Sequence, residues 1–405
     1  MRRPFFPIHP FTHSPIHKLR THLAVWHFLA LCFILISFTA SAQPAWEFSG
    51  YLVNLPVYQD NPSGPLYMTF PEQTFLNLTR LRLRPTLNLG DRTRIALEHE
   101  VTALYRTDVL PLYQQAADIT NRQRFDWRWY PLQEDYLTVS HFIDRLYVWH
   151  EFDFGEITIG RQRVAWGSGR IWNPTDLFNP INPAAFDKLE KDGADLLSGK
   201  IFLGNFTDLT LVYNPRREVK DHNGAFRFRS NYRSYDVSLV GGYFDRRVIL
   251  GGDFAGNLFT AGLRGEGIYA VSRNAGEENF LKFILGLDYQ FTAKLYALAE
   301  YQHNGQGRRD PRRYDYAALL NGTVINLAQN YLFLQALYQL HPLVNGGLGY
   351  NRNLDDNSGF VSLTLSYSFR QNIELSLGGQ LCHGRTASEY GFYPQSLYLK
   401  GQLFF

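Results

Sequence analysis

The chain has 405 residues, enough for one large domain or two or three of ordinary size. With 45% hydrophobic and 19% charged residues it is not a disordered polyelectrolyte. Its formal charge of +3 belongs to the first 42 residues, where Arg2, Arg3, Lys18 and Arg20 meet no acid. Without those four, 36 Lys and Arg face 37 Asp and Glu, and nucleic acid loses its electrostatic motive as a partner.

In chain order, residues 1–42 read first, as a secretory signal peptide. A basic start leads into "LAVWHFLALCFILISF", and "ASA" at Ala40 to Ala42 supplies small residues for cleavage. Cys32 in "LALC" has the outline of a lipoprotein box, but Leu31 is too bulky for one and the apolar run continues past it. Beyond the signal only Cys382 remains, so an intramolecular disulfide is impossible. Residues 43–405 are expected to form a single domain without a spanning helix, since no run approaches about 18–20 apolar residues.

The strands begin near Trp46, and the plainest alternation follows in "NLTRLRLRPTLNLGD", from Asn77. A charge at every second residue is strand periodicity: Arg80, Arg82 and Arg84 share one face, Leu81, Leu83, Leu87 and Leu89 the other. The next segment sets Arg94, Glu98, Glu100 and Arg106 opposite Ile95, Leu97 and Val101. "RLYVWHEFDF" continues with Arg145, Glu151 and Asp153, and "AGLRGEG" with Arg264 and Glu266. Further on, Leu281, Phe283, Leu285, Leu287, Tyr289 and Phe291 alternate with polar or small neighbours. So do Val361 to Phe369, then Ile373, Leu375 and Leu377. The chain closes on "SLYLKGQLFF".

Short connections at Gly90, Phe154, Gly204, Ala255, Phe291, His341 and Arg370 alternate with long polar excursions. The excursions cover 59–74, 107–141, 167–193, 214–224, 270–279, 304–328 and 384–394. That alternation describes an all-β, transmembrane, antiparallel up-and-down β-barrel with both termini periplasmic. The count is about 18 strands, with 16 possible; 214–257 is the weakest stretch. A soluble sandwich or propeller also alternates, but strands of ten or more residues are long enough to cross a bilayer at a tilt of about 45°. The aromatic share of 16% suits interfacial girdles. In such a barrel the leucines meet lipid and the arginines a wet lumen, since one arginine on the lipid face costs about 2–4 kcal/mol near the midplane. Arg80, Arg82, Arg84, Arg94, Glu98, Glu100, Arg106, Arg145, Glu151, Arg264 and Glu266 are the expected pore lining. They either handle solute or pair across strands; both readings stand at this point.

One segment differs in kind. "GRQRVAWGSGRIWNPTDLFNPINPAAFDKLEKDGADLL" runs from Gly160 to Leu197 with Asn-Pro pairs at Asn173, Asn179 and Asn182. Asn-Pro starts turns and cannot continue a ladder, so 160–197 is a folded loop region that could enter the lumen. Its Arg161, Arg163, Trp166, Trp172, Asp176 and Phe178 are candidates for a constriction or plug; a plain external cap is the alternative. The pattern "GRQ…WG.G…NP.D.FNP" resembles porin-like outer-membrane families related to the alginate-export porins, over about a tenth of the chain. The resemblance implies an 18-stranded barrel with an arginine-rich conduit, in which Arg161 and Arg163 match pore arginines.

No catalytic constellation appears. The histidines beyond the signal are dispersed without metal-ligand spacing, and His99 and His150 fall on the lipid-facing parity. "KDGAD" and "LDDNSG" read as turn chemistry before calcium loops. The sequence thus implies a non-enzymatic, cofactor-free channel in the bacterial outer membrane for polar solutes, small or polymeric and possibly anionic. A closed barrel serving as anchor or assembly partner is the alternative. Expected partners are outer-membrane lipid and lipopolysaccharide, and the barrel-assembly machinery through a terminal signal including Tyr398, Leu403 and Phe405.

Overall fold

The computed structural model describes residues 45–62, 71–107, 122–179, 190–274, 276–320 and 324–405. The expected signal peptide, Asn182 and part of several long connections lie outside them. The described chain is almost entirely strand: β1 Ala45–Asp60, β2 Gln73–Asn88, β3 Thr93–Arg106, β4 Arg128–Gln133, β5 Leu137–Phe152, β6 Gly155–Gln162, β7 Ala194–Phe202, β8 Asp208–Asn214, β9 Asn223–Tyr232 and β10 Tyr235–Phe244. There follow β11 Arg247–Leu258, β12 Ala261–Ser272, β13 Phe280–Gln290, β14 Leu295–Asn304, β15 Asn330–His341, β16 Val344–Asn353, β17 Gly359–Arg370, β18 Ile373–His383 and β19 Gln395–Phe404. One short helix, α1 (Tyr316–Leu320), sits between β14 and β15.

Every strand pairs antiparallel with its chain neighbour, and β1 pairs with β19 to close the cylinder. Short β4 is extra. It takes the outer half of one β5 edge, Arg128 opposite Phe142, while β6 takes the other half from Leu146 to Phe152. The wall therefore has 18 positions, in agreement with the sequence count. Closure matters physically, because it leaves no unpaired strand edge in hydrocarbon.

The strand faces follow the expected parity. Leu285, Leu287, Leu363, Leu365, Leu377, Leu397 and Leu399 all lie exposed on the outside of the isolated chain. Trp46, Phe48, Phe154, Phe206, Phe259 and Phe291 cluster at the short-turn rim as an aromatic girdle. His99 and His150 are on this outer face; His99 stacks with His141 and Trp129, His141 lying on the middle strand of the three, and His150 hydrogen-bonds Thr93 at 2.7 Å.

The turn expected at Ala255 is not there. Ala255 lies inside β11 opposite Arg264, and the chain reverses at Phe259, whose φ is 56°. Gly251, Gly252 and Gly256 carry no side chains to declare a face, which hid the strand. A reversal at Asp245–Arg246, both with positive φ, was likewise unmarked by glycine or proline. The excursion 107–141 is shorter than expected, because β4 and the start of β5 fall within it. The irregular path in 160–197 narrows to 163–193 between β6 and β7.

Candidate functional site

The described parts of the loop between β6 and β7, 163–179 and 190–193, touch two separate sectors of the wall. From the end of β6 the loop reaches the far wall, where two inward carboxylates receive its backbone amides. Glu266 on β12 accepts from Ser168, Gly169 and Thr175, the last two at 3.1 and 3.2 Å. Glu300 on β14 accepts from Arg170, Ile171 and Trp172 at 2.8, 3.1 and 2.8 Å. Six consecutive or near-consecutive amides thus close on two acids, an arrangement suited to buried anions. The "WGSG" motif makes it possible. Gly167 has φ +99°, and a Cβ there would lie 2.4 Å from a Glu266 oxygen; only a bare backbone can approach so near.

Asn173 and Asn179 then fold the described part of the loop on itself. Asn173 Nδ2 donates to Gly169 O at 2.9 Å, and Val164 N donates to Asn179 Oδ1 at 3.0 Å. Trp166, Leu177 and Phe178 pack on Val212, Val240 and Phe244, filling the lumen along β7–β12. Trp172 packs on Ile284, Leu298, Tyr331 and Phe333 of the next wall sector. Buried Asp176 accepts from Lys191 Nζ; burial pushes its carboxyl up to about 6, the nearby lysine opposing the rise.

The returning end of the loop reaches the near wall. Glu190 engages Arg84, as well as Arg145 at 3.1 Å and Arg82 at 3.7 Å, and Gly193 N donates to Asp144 Oδ1 at 2.8 Å. β5 and β14 stand nine positions apart in a wall of 18, so the loop spans a diameter. Burial raises the Glu190 carboxyl, but Arg82, Arg84 and Arg145 outweigh it and hold the group below its ordinary range.

The arginine ladder faces inward as its parity requires, yet it is not a free positive stripe. Arg80 pairs with Glu100 at 3.1 Å; Arg82 with Glu98 at 2.7 Å, Glu100 at 3.2 Å and Asp144; Arg145 with Glu98 at 2.9 Å. With Arg84 and Glu190 included, four guanidinium groups meet four carboxylates. Two of those acids escaped sequence reasoning. Asp144 should face outward by parity, but a β-bulge in β5 pairs Glu98 with Arg145 and His99 with Ile143, and Asp144 and Arg145 both turn inward. Glu190 lies in the loop, where no parity applies.

Among the other expected lining residues, Arg94 projects from the inner wall over the Trp149 ring at 4.6 Å, and Arg264 pairs with Asp288 at 3.0 Å. Arg106 is buried opposite Leu76, and Glu151 sits exposed near the short-turn rim opposite Glu156. Arg161 requires a correction. Its side chain is 0% exposed, bonded to Asp195 at 2.8 Å and Ile143 O at 2.8 Å, and stacked on Trp127 at 4.4 Å. It shares the outward register of Leu146 and Asp195, sealed beneath the segment that leads into β4, and meets no lumen. Gly160, with φ +124°, breaks the alternation just before it, which made the parity of "RQRVA" unreadable. Arg163 by contrast is exposed. Glu300, the main anchor, was missed; its inner parity with Leu298 and Gln302 on β14 was a usable signal, whereas its partner amides about 130 residues earlier were not. The "LDDNSG" segment is a turn in which Asp355 and Asp356 accept backbone amides of Gln329, Asn330, Ser358 and Glu389, whereas "KDGAD" is irregular chain running into β7, with Lys191 and Gly193 holding the loop.

A closed 18-stranded cylinder with an inward loop defines the porin class of fold, and comparison with solved structures agrees. OccK9 of Pseudomonas aeruginosa superposes with TM-score 0.60 at 11% identity, over 89% of this chain and 98% of that one. OccAB4 of Acinetobacter baumannii gives 0.55 at 11% identity over 91% and 99%, and OccD3 of P. aeruginosa 0.52 at 10% over 88% and 91%. These are likenesses of fold among outer-membrane porins. No family model matches the chain, and no curated protein matches it in sequence.

Proposed function

We propose that this protein is a porin-like channel of the bacterial outer membrane, passing polar solutes by diffusion. One observation carries the reading: a loop pinned at opposite walls narrows the lumen of a barrel too wide for side chains alone to fill. The outer face of leucines between aromatic rims favours a bilayer, and the resemblance in fold to porins supports the same location. Tyr398, Leu403 and Phe405 in the closing strand remain the proposed contacts for barrel assembly.

The neutralised ladder argues against a continuous positive conduit of the kind the alginate-export resemblance implied. Four arginines bound to four acids hold structure and offer no excess charge to a polymer. Soluble catalysis has no support in the site, whose buried carboxylates are occupied by backbone amides. Planar-bilayer recording of the folded protein tests the proposal: stepwise conductance is expected, and its absence at all voltages rejects the channel. That outcome would favour the closed anchor, which the apolar filling around Trp166 and Phe178 also accommodates.

A further inference from the structure

We propose that Arg170 is a specificity-determining cation of this pore, and that it attracts the anionic group of a passing solute. The inference rests on the channel reading. Arg170 lies early in the loop that leaves β6, where the loop meets β14, and its own amide is the first of the three held by Glu300, at 2.8 Å. The next two residues are anchored on the same carboxylate, and Trp172 is 2% exposed in the wall cluster. The backbone under Arg170 is therefore fixed, while its side chain is exposed. Among the described residues that guanidinium has no hydrogen bond or ion pair.

The contrast with the wall is what gives the residue its role. Arg80, Arg82, Arg84 and Arg145 share four acids, Arg264 holds Asp288, and Arg229 holds Asp208 at 2.6 Å. A guanidinium already forked onto a carboxylate has little left for a mobile anion. Glu300, which holds the Arg170 amide, and Glu266 on β12 have their oxygens engaged by six amides of the loop. The bond from the Arg170 amide to Glu300 places its backbone against β14. A planar, permanently charged donor on a rigid base at a constriction suits carboxylate or phosphate groups.

The test is reversal potential across a planar bilayer in a salt gradient, for the native protein, Arg170→Lys, Arg170→Gln and Arg170→Glu. The exposed side chain makes no folding contact, so all four should assemble. Arg170→Glu should raise the cation-to-anion permeability ratio by at least about fivefold, the scale of a single unit-charge interaction at close range in water. Gln should fall between, and Lys should keep the native ratio, which a merely structural role would not require. A conducting Arg170→Glu channel with unchanged reversal potential overturns the inference alone. A native protein without conductance overturns it together with the channel.

Discussion

Arg82 is a residue whose environment decides its meaning. On the sequence it is the centre of a positive stripe; in the fold its side chain is 4% exposed and contacts Glu98, Glu100 and Asp144. Truncating it leaves buried Glu98 and Asp144 and partly buried Glu100 short of a partner, a loss of about 3–5 kcal/mol. Arg82→Ala should therefore lower the urea midpoint of the detergent-folded barrel substantially, and a midpoint within error of native would contradict the network. Gly160 carries a different constraint. With φ +124°, a Cβ there would sit 2.3 Å from Leu146 O. Gly160→Ala should cost at least about 1–3 kcal/mol in the same measurement, the scale of the backbone strain, with the clash on Leu146 O adding to it.

Among the loops, two acids respond to pH in opposite senses. Glu190, held below its usual range by three arginines, binds a proton less readily in the folded state than unfolded. Its contribution is present above the ordinary glutamate pKa of about 4.3 and is lost as pH falls through the lower folded value. Acidification below about pH 4.3 should loosen the returning end of the crossing loop, and Glu190→Gln should remove that step from the Trp fluorescence titration. Glu389 lies in the β18–β19 connection, where burial pushes its carboxyl up to about 7 against bonds from Tyr331, Leu327 and Asn353. Here the folded state favours the proton. Its contribution is complete below about pH 4.3 and is lost as pH rises through about 7. The loops joined by Tyr314, Asn353 and Glu389 should protect their amides from hydrogen exchange better at pH 5 than at pH 8, after correction for intrinsic rate. Glu389→Gln should flatten that difference; an equal difference in the variant would clear Glu389 of the effect.

For the barrel as a unit, the diameter-spanning loop is the feature on which the lumen depends. Each anchor acid holds three amides, and glutamine offers one carbonyl oxygen where the carboxylate offered two. Glu266→Gln combined with Glu300→Gln should release the 168–175 segment and raise single-channel conductance, with heat-modified mobility of the barrel retained. Conductance identical to native in the folded double variant would mean that the acids do not set the aperture.

Much of this architecture was legible in the order of residues. Leu81 and Leu83 against Arg80 and Arg82 declared a wall with one greasy and one wet face, and the alternation of turn lengths set the strand number. Strand parity is a local, two-residue property, so it survives any reasonable packing. It failed at Asp144 and Arg161, where a bulge and a positive-φ glycine shift the alternation. Which charges pair was never local. Glu190 meets Arg84 across 106 positions and Glu300 meets Trp172 across 128, contacts created only when the cylinder closes and the loop folds inward. Local patterning was enough to specify the barrel, because hydrocarbon and water sort side chains strand by strand. The neutral ladder and the loop across the lumen emerged only from the folded chain, because both depend on groups brought together across the closed wall.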